Sequence, residues 1–570
     1  MLNLIEGDNN EVAFLKGRGT ALHNLMRVIL GLNWGHDGAA AVVRDGRLVA
    51  ATSLERITRR KKDSGISAEL LRYVLELAGV SAADVSAVAL AAFIPSPTNP
   101  IRLYRKGGDE LQSPVFDLFG GETSVELEAD LGGRRVPAFF VNHHIAHCAA
   151  AFFTSSFERS ACLSVDASMF RPEACSVMAY GDGGDLRYLR CPGIMIGNAY
   201  SVFTEKLGLG PGLTKAGTLM GLAPYGQANA VATNRWREFG ASFYERTFQE
   251  SDPLFIQYIW SQISGKPPHH TFPPSLSDSK EAMEIAASIQ YVFEQTLLAN
   301  AKRLHEETKS FSDNNLCLGG GSFLNSETNM LIKRESGFSR LHLFPGCGDD
   351  GTAVGSALFV AHTLGRLPRQ SYSNRDLAYL GRSYPTPTGL QGAMPATPQA
   401  IAKLLSEGKV VGLFQDRGEF GPRALGNRSL LADPRRAEMK DHINQRVKRR
   451  EWFRPFAPAV MVEHLTEWFE VDAESPFMLL IAQVKQPKVI PAVTHVDGTA
   501  RVQTVSPSDN PLFHAILSEF NALTRVPVLL NTSMNGNGEP LVETPHDALR
   551  FFAEGVIDAI VINETLLLRV

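Results

Sequence analysis

At 570 residues, with 44% hydrophobic and 20% charged side chains, the chain has a globular balance and is too long for one core. Its net charge of −4 leaves no basic footprint, so nucleic acid is not an expected partner. No run approaches the roughly 18 uninterrupted apolar residues a bilayer crossing needs, and the six cysteines form no CxxC pair, against a zinc ribbon or a disulfide framework and for a cytoplasmic setting.

Residues 1–25 carry Glu6, Asp8 and Glu11 without a long apolar block, and Met26 stands just before the first strand-like run; they read as a leader or tag-like segment, not a secretory signal. Apolar runs at 27–32 and 39–43 flank a glycine turn, and Asp45-Gly46 signals a hairpin. Residues 64–80 have helical spacing, strands are expected at 86–92 and 136–141 around a polar insertion, and Asn142 is placed to cap a helix beginning NHHIAHCAAAFF. A strand pair at 160–166 and 175–180 precedes the clearest helix, 282–307. LCLGGGSFLN and PGCGDDGTAVGSALF each read as a glycine turn leading into a helix. A Tyr/Ser/Pro/Gly-rich connection at 371–397 divides a large α/β unit, 26–370, from a smaller one, 398–570. The turns after the strands at 27–32 and 315–318 are alike, as two related halves of the large unit would require.

Three glycine turns, at Gly35–Gly38, Gly319–Ser322 and Gly348–Gly351, expose backbone N–H groups of the kind that cradle phosphate, and two carry acids. No GxxxxGK[ST] loop occurs, which argues against P-loop chemistry. His143 and His147, four apart on one helix face, have metal-chelate spacing. An acid from elsewhere would complete the set; Asp349 is one candidate and Asp166, at the end of the strand CLSVD, another. Two histidines and a carboxylate suit iron(II), zinc or manganese, and the spacing does not choose among them. In the smaller unit Arg417, Arg423, Arg428 and Arg435 surround a Gly/Pro turn, and Lys448, Arg449, Arg450 and Arg454 alternate with aromatics. Such interleaving favours a shaped pocket for a small anion over a solvated face. Arg501, Asn531, Thr532, Ser533 and Asn535 add groups that hydrogen-bond a polar ligand.

GLNWGHDGAAAVVRDG, SLERITRRKKDSG, VNHHIAH, KAGTLMGLAPYG, GGGSFLN, GDDGTAVGSAL, EFGPRALGNRSLLADPR, FRPFAPAV, QTV and NTSMN…GEPLVETP together resemble the NodU/CmcH-type O-carbamoyltransferases, in that family's order and over nearly all of Met26–Val570. Within the family the chain is most similar to members that carbamoylate aminoglycosides such as tobramycin. The resemblance implies a Kae1-like large domain of the actin/sugar-kinase/Hsp70 ATPase superfamily, with two RNase H-like halves, and a YrdC-like smaller domain. It implies that the smaller domain makes carbamoyl adenylate from carbamoyl phosphate and ATP, and that the large one passes the carbamoyl group to a hydroxyl of a small molecule. Carried over by motif, His143, His147, Asp349 and Asp166 would hold a divalent metal, iron(II) being the family's, with magnesium for ATP. Lys215, Gly319, Gly320, Gly321 and Asn325 would hold a nucleotide. Arg423, Lys448, Arg449, Arg454, Arg501, Asn531 and Ser533 would surround carbamoyl phosphate and a second nucleotide. His36 or Asp37 is placed to accept the hydroxyl proton as general base. The rival readings are a sugar kinase-like ATPase of the same superfamily and a tRNA threonylcarbamoylation-type factor; no membrane partner is expected and the oligomeric state is open.

Overall fold

The computed structural model describes residues 26–94, 99–113, 121–167, 175–230, 232–234 and 252–569; the leader-like residues 1–25 lie outside them. β1 (Val28–Asn33), β2 (Ala39–Arg44) and β3 (Arg47–Ser53) form an antiparallel meander, with the expected Asp45-Gly46 hairpin joining β2 to β3. β4 (Ala87–Leu90) and β7 (Arg134–Val141) then add parallel to β1, and the polar insertion supplies two further strands, β5 (Arg102–Arg105) and β6 (Ser124–Leu131), giving the order β3-β2-β1-β4-β7-β6-β5. A second sheet repeats the scheme. β8 (Arg159–Val165), β9 (Ser176–Asp182) and β10 (Asp185–Arg190) form the meander, β11 (Asn315–Gly319) and β12 (Arg340–Leu343) run parallel to β8, and the order is β10-β9-β8-β11-β12. The two alike glycine turns are not equivalent in this scheme: the one at 35–38 follows β1, the first strand of its meander, whereas the one at 319–322 follows β11, which occupies the place of β4.

Strands buried on both faces read as near-continuous apolar runs, and β1, VILGLN, is one. Val28, Leu30 and Leu32 face a layer that includes helix α1 (Ala68–Leu77), while Ile29 faces the interior between the two sheets. That interior holds α2 (His143–Thr154) and, in the second half, α7 (Asp350–Phe359), each following the last parallel strand of its half. The helices between them in sequence include α3 (Ile196–Lys206), α4 (Gly212–Leu222), α5 (Lys280–Thr308) and α6 (Ser326–Glu335), with a further helix at Asp252–Ser264. α2 and α7 meet almost backbone to backbone: a Cβ on Gly355 would lie 1.7 Å from the Ala146 carbonyl oxygen, and one on Gly31 of β1 2.0 Å from that of Ala353. Small residues at these contacts are therefore a condition of the fold.

The smaller unit is one ten-stranded mixed sheet that includes β14 (Val411–Phe414), β15 (Arg428–Ala432), β19 (Thr499–Val505) and β20 (Val528–Ser533), with its own apolar core. The 371–397 connection is more than a tether. It carries a helix at Asn374–Ala378, capped by Ser373, buries Tyr379 and Leu380 in the large unit's core and ends in the edge strand Met394–Pro395. Further bonds cross between the units: Arg56 Nη2 donates to Gly421 O (3.0 Å), and Asn329 Nδ2 to Leu479 O (2.9 Å).

Candidate metal centre and adjoining cationic cavity

The N-terminus of α2 is set by Asn142, whose side-chain oxygen accepts from the Ile145 amide at 3.0 Å. From there His143 and His147 project one turn apart, and their Nε2 atoms lie 3.2 Å from each other. Asp349, at the N-cap of α7, brings Oδ1 to 3.5 Å from both; Asp166, just after β8, brings Oδ2 to 3.2 Å from His147 Nε2. All four ligand atoms fall within 4.8 Å of one another. Ligands about 2.1 Å from one ion stand about 2.9–3.5 Å apart in octahedral or tetrahedral geometry, so the set fits a cation. Asp166 is held in place by the amides of Ala167 (2.7 Å) and Gly321 (2.9 Å), and His144, turned away, bonds Ser164 Oγ at 2.7 Å.

Burial would neutralise Asp349, but the charges of His36 and His143 hold its carboxyl well below the usual range. Burial likewise opposes charge on His147, and its bonds to Asp166 and Asp349 win, raising it to about 9. His36 Nε2 lies 3.1 Å from Asp349 Oδ2, and its Nδ1 lies 3.1 Å from Asp37 Oδ2, which Lys62 Nζ also reaches at 3.1 Å. The Asp349 charge raises His36 to about 9. The turn carrying both residues is pinned by buried Asn33, which donates to the carbonyls of His36 (3.0 Å) and Asp37 (3.1 Å).

His36, Asp37, Lys62, Asp166, Asp349 and Asp350 line one side of a cavity of about 300 Å³. A second cavity, of about 380 Å³, is walled by Lys215 of α4 together with Arg423, Lys448, Arg450, Arg454 and Arg501. The two share Lys61, Arg423, Arg454, Ser533 and Asn535 as lining residues. Burial lowers the pKa of Lys448, Arg450 and Arg501 well below the ordinary values, and their cationic neighbours push the same way. Arg423 falls to about 10, chiefly by burial, and the Nε atoms of Arg423 and Arg501 are buried without a hydrogen-bond partner. Glu451 is the acid that lines this cavity. Concentrated buried positive charge with unused donors calls for a polyanionic ligand.

The structure sorts the expected residues unevenly. His143, His147, Asp166 and Asp349 come together, with His36 and Asp37 beside them. Arg423, Lys448, Arg454, Arg501, Asn531 and Ser533 wall the second cavity, and Lys215 lies with them, away from the glycine loop it was grouped with. Gly321 and Asn325 line the first cavity. Gly319 and Gly320 do not: a Cβ on Gly319 would lie 2.6 Å from the His147 carbonyl, and the Gly320 amide is already given to Cys347 O at 2.8 Å. Gly319 lets the loop press against α2 and Gly320, at φ 99°, lets it press against the end of β8, so their role here is close packing. Arg449 is exposed, outside both cavities, in a left-handed turn (φ 44°) whose carbonyl accepts from Asn537; its neighbour Arg450 faces inward instead. Arg417 and Arg428 spend their guanidinium groups on backbone carbonyls, and Arg435 is paired with Asp433. Sequence reasoning gave no role to Lys61, Lys62 or Asp350, although the RRKK run and the second acid of GDDG were the available signals; burial pushes Asp350 up to about 7.

Comparison with known proteins matches both units to one family. The family model described as carbamoyltransferase N-terminus matches residues 28–93 and 125–358, and that described as carbamoyltransferase C-terminus matches 402–569. An uncharacterised protein of Synechocystis is 33% identical over 95% of this chain and 97% of its own length. Nodulation protein NolNO of Sinorhizobium fredii is 32% identical over 93% of this chain and 79% of its own. The 3'-hydroxymethylcephem-O-carbamoyltransferase of Amycolatopsis lactamdurans is 29% identical over 94% of this chain and 98% of its own. No helix among the described residues is long and apolar enough to cross a membrane. With both units matched in order, the chain belongs to the carbamoyltransferase family and is an enzyme of O-carbamoyl transfer.

Proposed function

We propose that the enzyme couples two reactions across the shared wall of its cavities. In the cationic cavity of the smaller, YrdC-like unit, carbamoyl phosphate, water and ATP give carbamoyl adenylate, inorganic phosphate and pyrophosphate. At the metal centre of the Kae1-like unit, an acceptor hydroxyl then attacks the carbamoyl carbon; the bond from that carbon to the phosphate oxygen breaks, and AMP leaves. The observation that carries this reading is the adjacency itself: a buried cation cluster short of acids opens onto the same space as a four-ligand metal set.

Arg423, Arg454, Arg501 and Lys448 would hold the phosphates, with Ser533 and Asn531 on the polar rim. The site residues fit a divalent cation, iron(II) with two histidines and two carboxylates, and such an ion would polarise the carbamoyl carbonyl or neutralise the departing phosphate. Asp37, bonded to Lys62, is the group positioned to take the hydroxyl proton; His36, held between Asp37 and Asp349 and raised to about 9, already carries its proton at neutral pH and would steady the two carboxylates instead. Gly321 and Asn325 stand where a nucleotide would meet the first cavity. The acceptor we favour is a polycationic aminoglycoside, which the acids of the first cavity would attract.

Purified protein with magnesium ATP, carbamoyl phosphate and a panel of aminoglycoside, cephem and oligosaccharide acceptors tests this by mass spectrometry. Carbamoylated acceptor with AMP and pyrophosphate is the expected result. Phosphorylated acceptor with ADP would replace this reading with a kinase, and salt-sensitive tRNA binding without any small-molecule product would replace it with a tRNA factor.

A further inference from the structure

The wall common to the two cavities is built from Lys61, α4 (Thr214, Gly217, Met220), Arg423, Arg454 and one loop, residues 533–541, which lines both. Ser533, Asn535, Glu539, Pro540 and Leu541 face the metal side, and Ser533 and Asn535 through Gly538 face the cationic side. Its own unit ties down the first half: Lys448 Nζ donates to Ser533 Oγ (3.1 Å) and Asn535 Oδ1 (2.6 Å), and Asn537 Nδ2 donates to Arg449 O (2.8 Å). The second half is tied across the seam. Arg59 of the large unit donates through Nη1 to Leu541 O (2.6 Å) and through Nη2 to Pro540 O (3.0 Å), with Nε 3.7 Å from Asp547 Oδ1.

Arg59 itself lines neither cavity, yet its backbone takes φ 60°, a left-handed conformation that non-glycine residues adopt at a cost. The same short segment puts Lys61 on the wall common to both cavities and Lys62 on Asp37. A planar fork reaching two successive carbonyls fixes both the position and the orientation of the strand it holds.

The geometry points to Arg59 as a positioning residue that closes the seam between the two reaction sites and keeps the activated carbamoyl group inside during hand-over. This rests on the reading that carbamoyl adenylate forms in the cationic cavity. Without the fork, the 540–541 wall is free to part from the large unit, and the intermediate is lost to water before an acceptor receives it.

The test uses the full chain with ATP and carbamoyl phosphate, no acceptor, and hydroxylamine as a trap. The hydroxylamine nitrogen bonds the carbamoyl carbon, the bond to the phosphate oxygen breaks, AMP departs and a proton goes to solvent, leaving N-hydroxyurea. For Arg59→Ala and Arg59→Lys we expect a first-turnover burst of pyrophosphate close to that of the parent protein, followed by turnover in which N-hydroxyurea, AMP and further pyrophosphate appear about tenfold faster, the scale of one lost charge-assisted bond. Arg59→Lys keeps the charge beside Asp547 but cannot span both carbonyls, so it decides the matter should Arg59→Ala fail to fold. A folded Arg59→Lys protein that forms carbamoyl adenylate and retains it as well as the parent overturns the inference. A parent protein that makes no carbamoyl adenylate at all sinks the function reading, and this inference with it.

Discussion

In the cavity beside His143 and His147, Asp37, Asp166, Asp349 and Asp350 face Lys61 and Lys62, so charge of both signs is present and largely paired. Across the 533–541 loop, Arg423, Lys448, Arg450, Arg454 and Arg501 face Glu451, and the Nε donors of Arg423 and Arg501 have nothing to bond. The first arrangement suits a cation and the second an anion of several charges. On the proposed reading, two half-reactions with different electrostatic demands adjoin each other, with Lys61, Arg423 and Arg454 common to both walls. The comparison is broken most directly by removing one group from each side.

Asp349→Ala takes away the carboxylate that touches both metal-site histidines. We expect carbamoyl transfer to fall by at least about a hundredfold, beyond the usual cost of disturbing an outer-shell partner, while ATP and carbamoyl phosphate still yield carbamoyl adenylate. Loss of both activities would mean that the two sites are not separable. Arg501→Ala is the mirror experiment: adenylate formation should drop about 10–100-fold, the worth of a charged hydrogen bond in a desolvated site, with metal content unchanged by elemental analysis. Chelation supplies a third cut. After stripping and return of magnesium alone, adenylate formation should recover and transfer should stay absent until a transition metal is restored.

Why was the metal centre readable in the sequence and the cationic cavity only half so? His143 and His147 lie on one helix, where spacing translates directly into direction. Asp166 was a candidate because it ends an apolar strand and Asp349 because it sits in a glycine-and-acid turn, and the second half brings the end of β8 and the start of α7 together. The arginines lie in irregular loops, where sequence has no periodicity to aim a side chain. Arg423 points into the cavity while Arg417 and Arg428, in the same motif, are consumed by carbonyls. Lys61 was missed because the residues it lines the cavities with, Arg423 and Ser533 among them, are hundreds of residues away. The glycine turns misled in part: GGGS reads as a phosphate cradle, but Gly319 is there because α2 passes too close for a side chain. The duplication itself was expected from two similar turns that prove to occupy non-equivalent places in the two halves, since strand order is a long-range property.

The same close packing gives a sharper test of how the metal side is held. Gly355 of α7 has the Ala146 carbonyl where a methyl group would go, 1.7 Å from the ideal Cβ. Gly355→Ala must push α7 away from α2, carrying Asp349 away from His143 and His147. Overpacking of this kind costs about 3 kcal/mol, toward the upper end of the usual range. The expected signature is weakened metal binding by calorimetry and a lowered melting temperature, with the cationic cavity, on its own sheet, still binding nucleotide. Unchanged metal affinity would show that the helix contact does not set the ligand geometry.

Acid should act on the metal side in two ways that can be separated. Protons compete for His143 and His147 wherever a cation is bound. Independently, His362 is fully buried near Phe153, with Nδ1 3.0 Å from the Leu367 carbonyl and Nε2 unbonded. Burial lowers its pKa from 6.5 to about 4, outweighing that hydrogen bond. A histidine kept neutral in the fold and free to protonate when unfolded contributes its full stability above pH 6.5. That contribution is lost as pH falls from 6.5 toward 4, and the shift corresponds to at most about 3 kcal/mol. His362→Gln keeps a donor for Leu367 and removes the titration. It should leave stability at pH 7 within about 1 kcal/mol of the parent and flatten the decline between pH 6.5 and 4 in denaturant unfolding. The pH dependence of metal loss should stay the same. A decline as steep as the parent's would place the acid sensitivity in the ligand histidines alone.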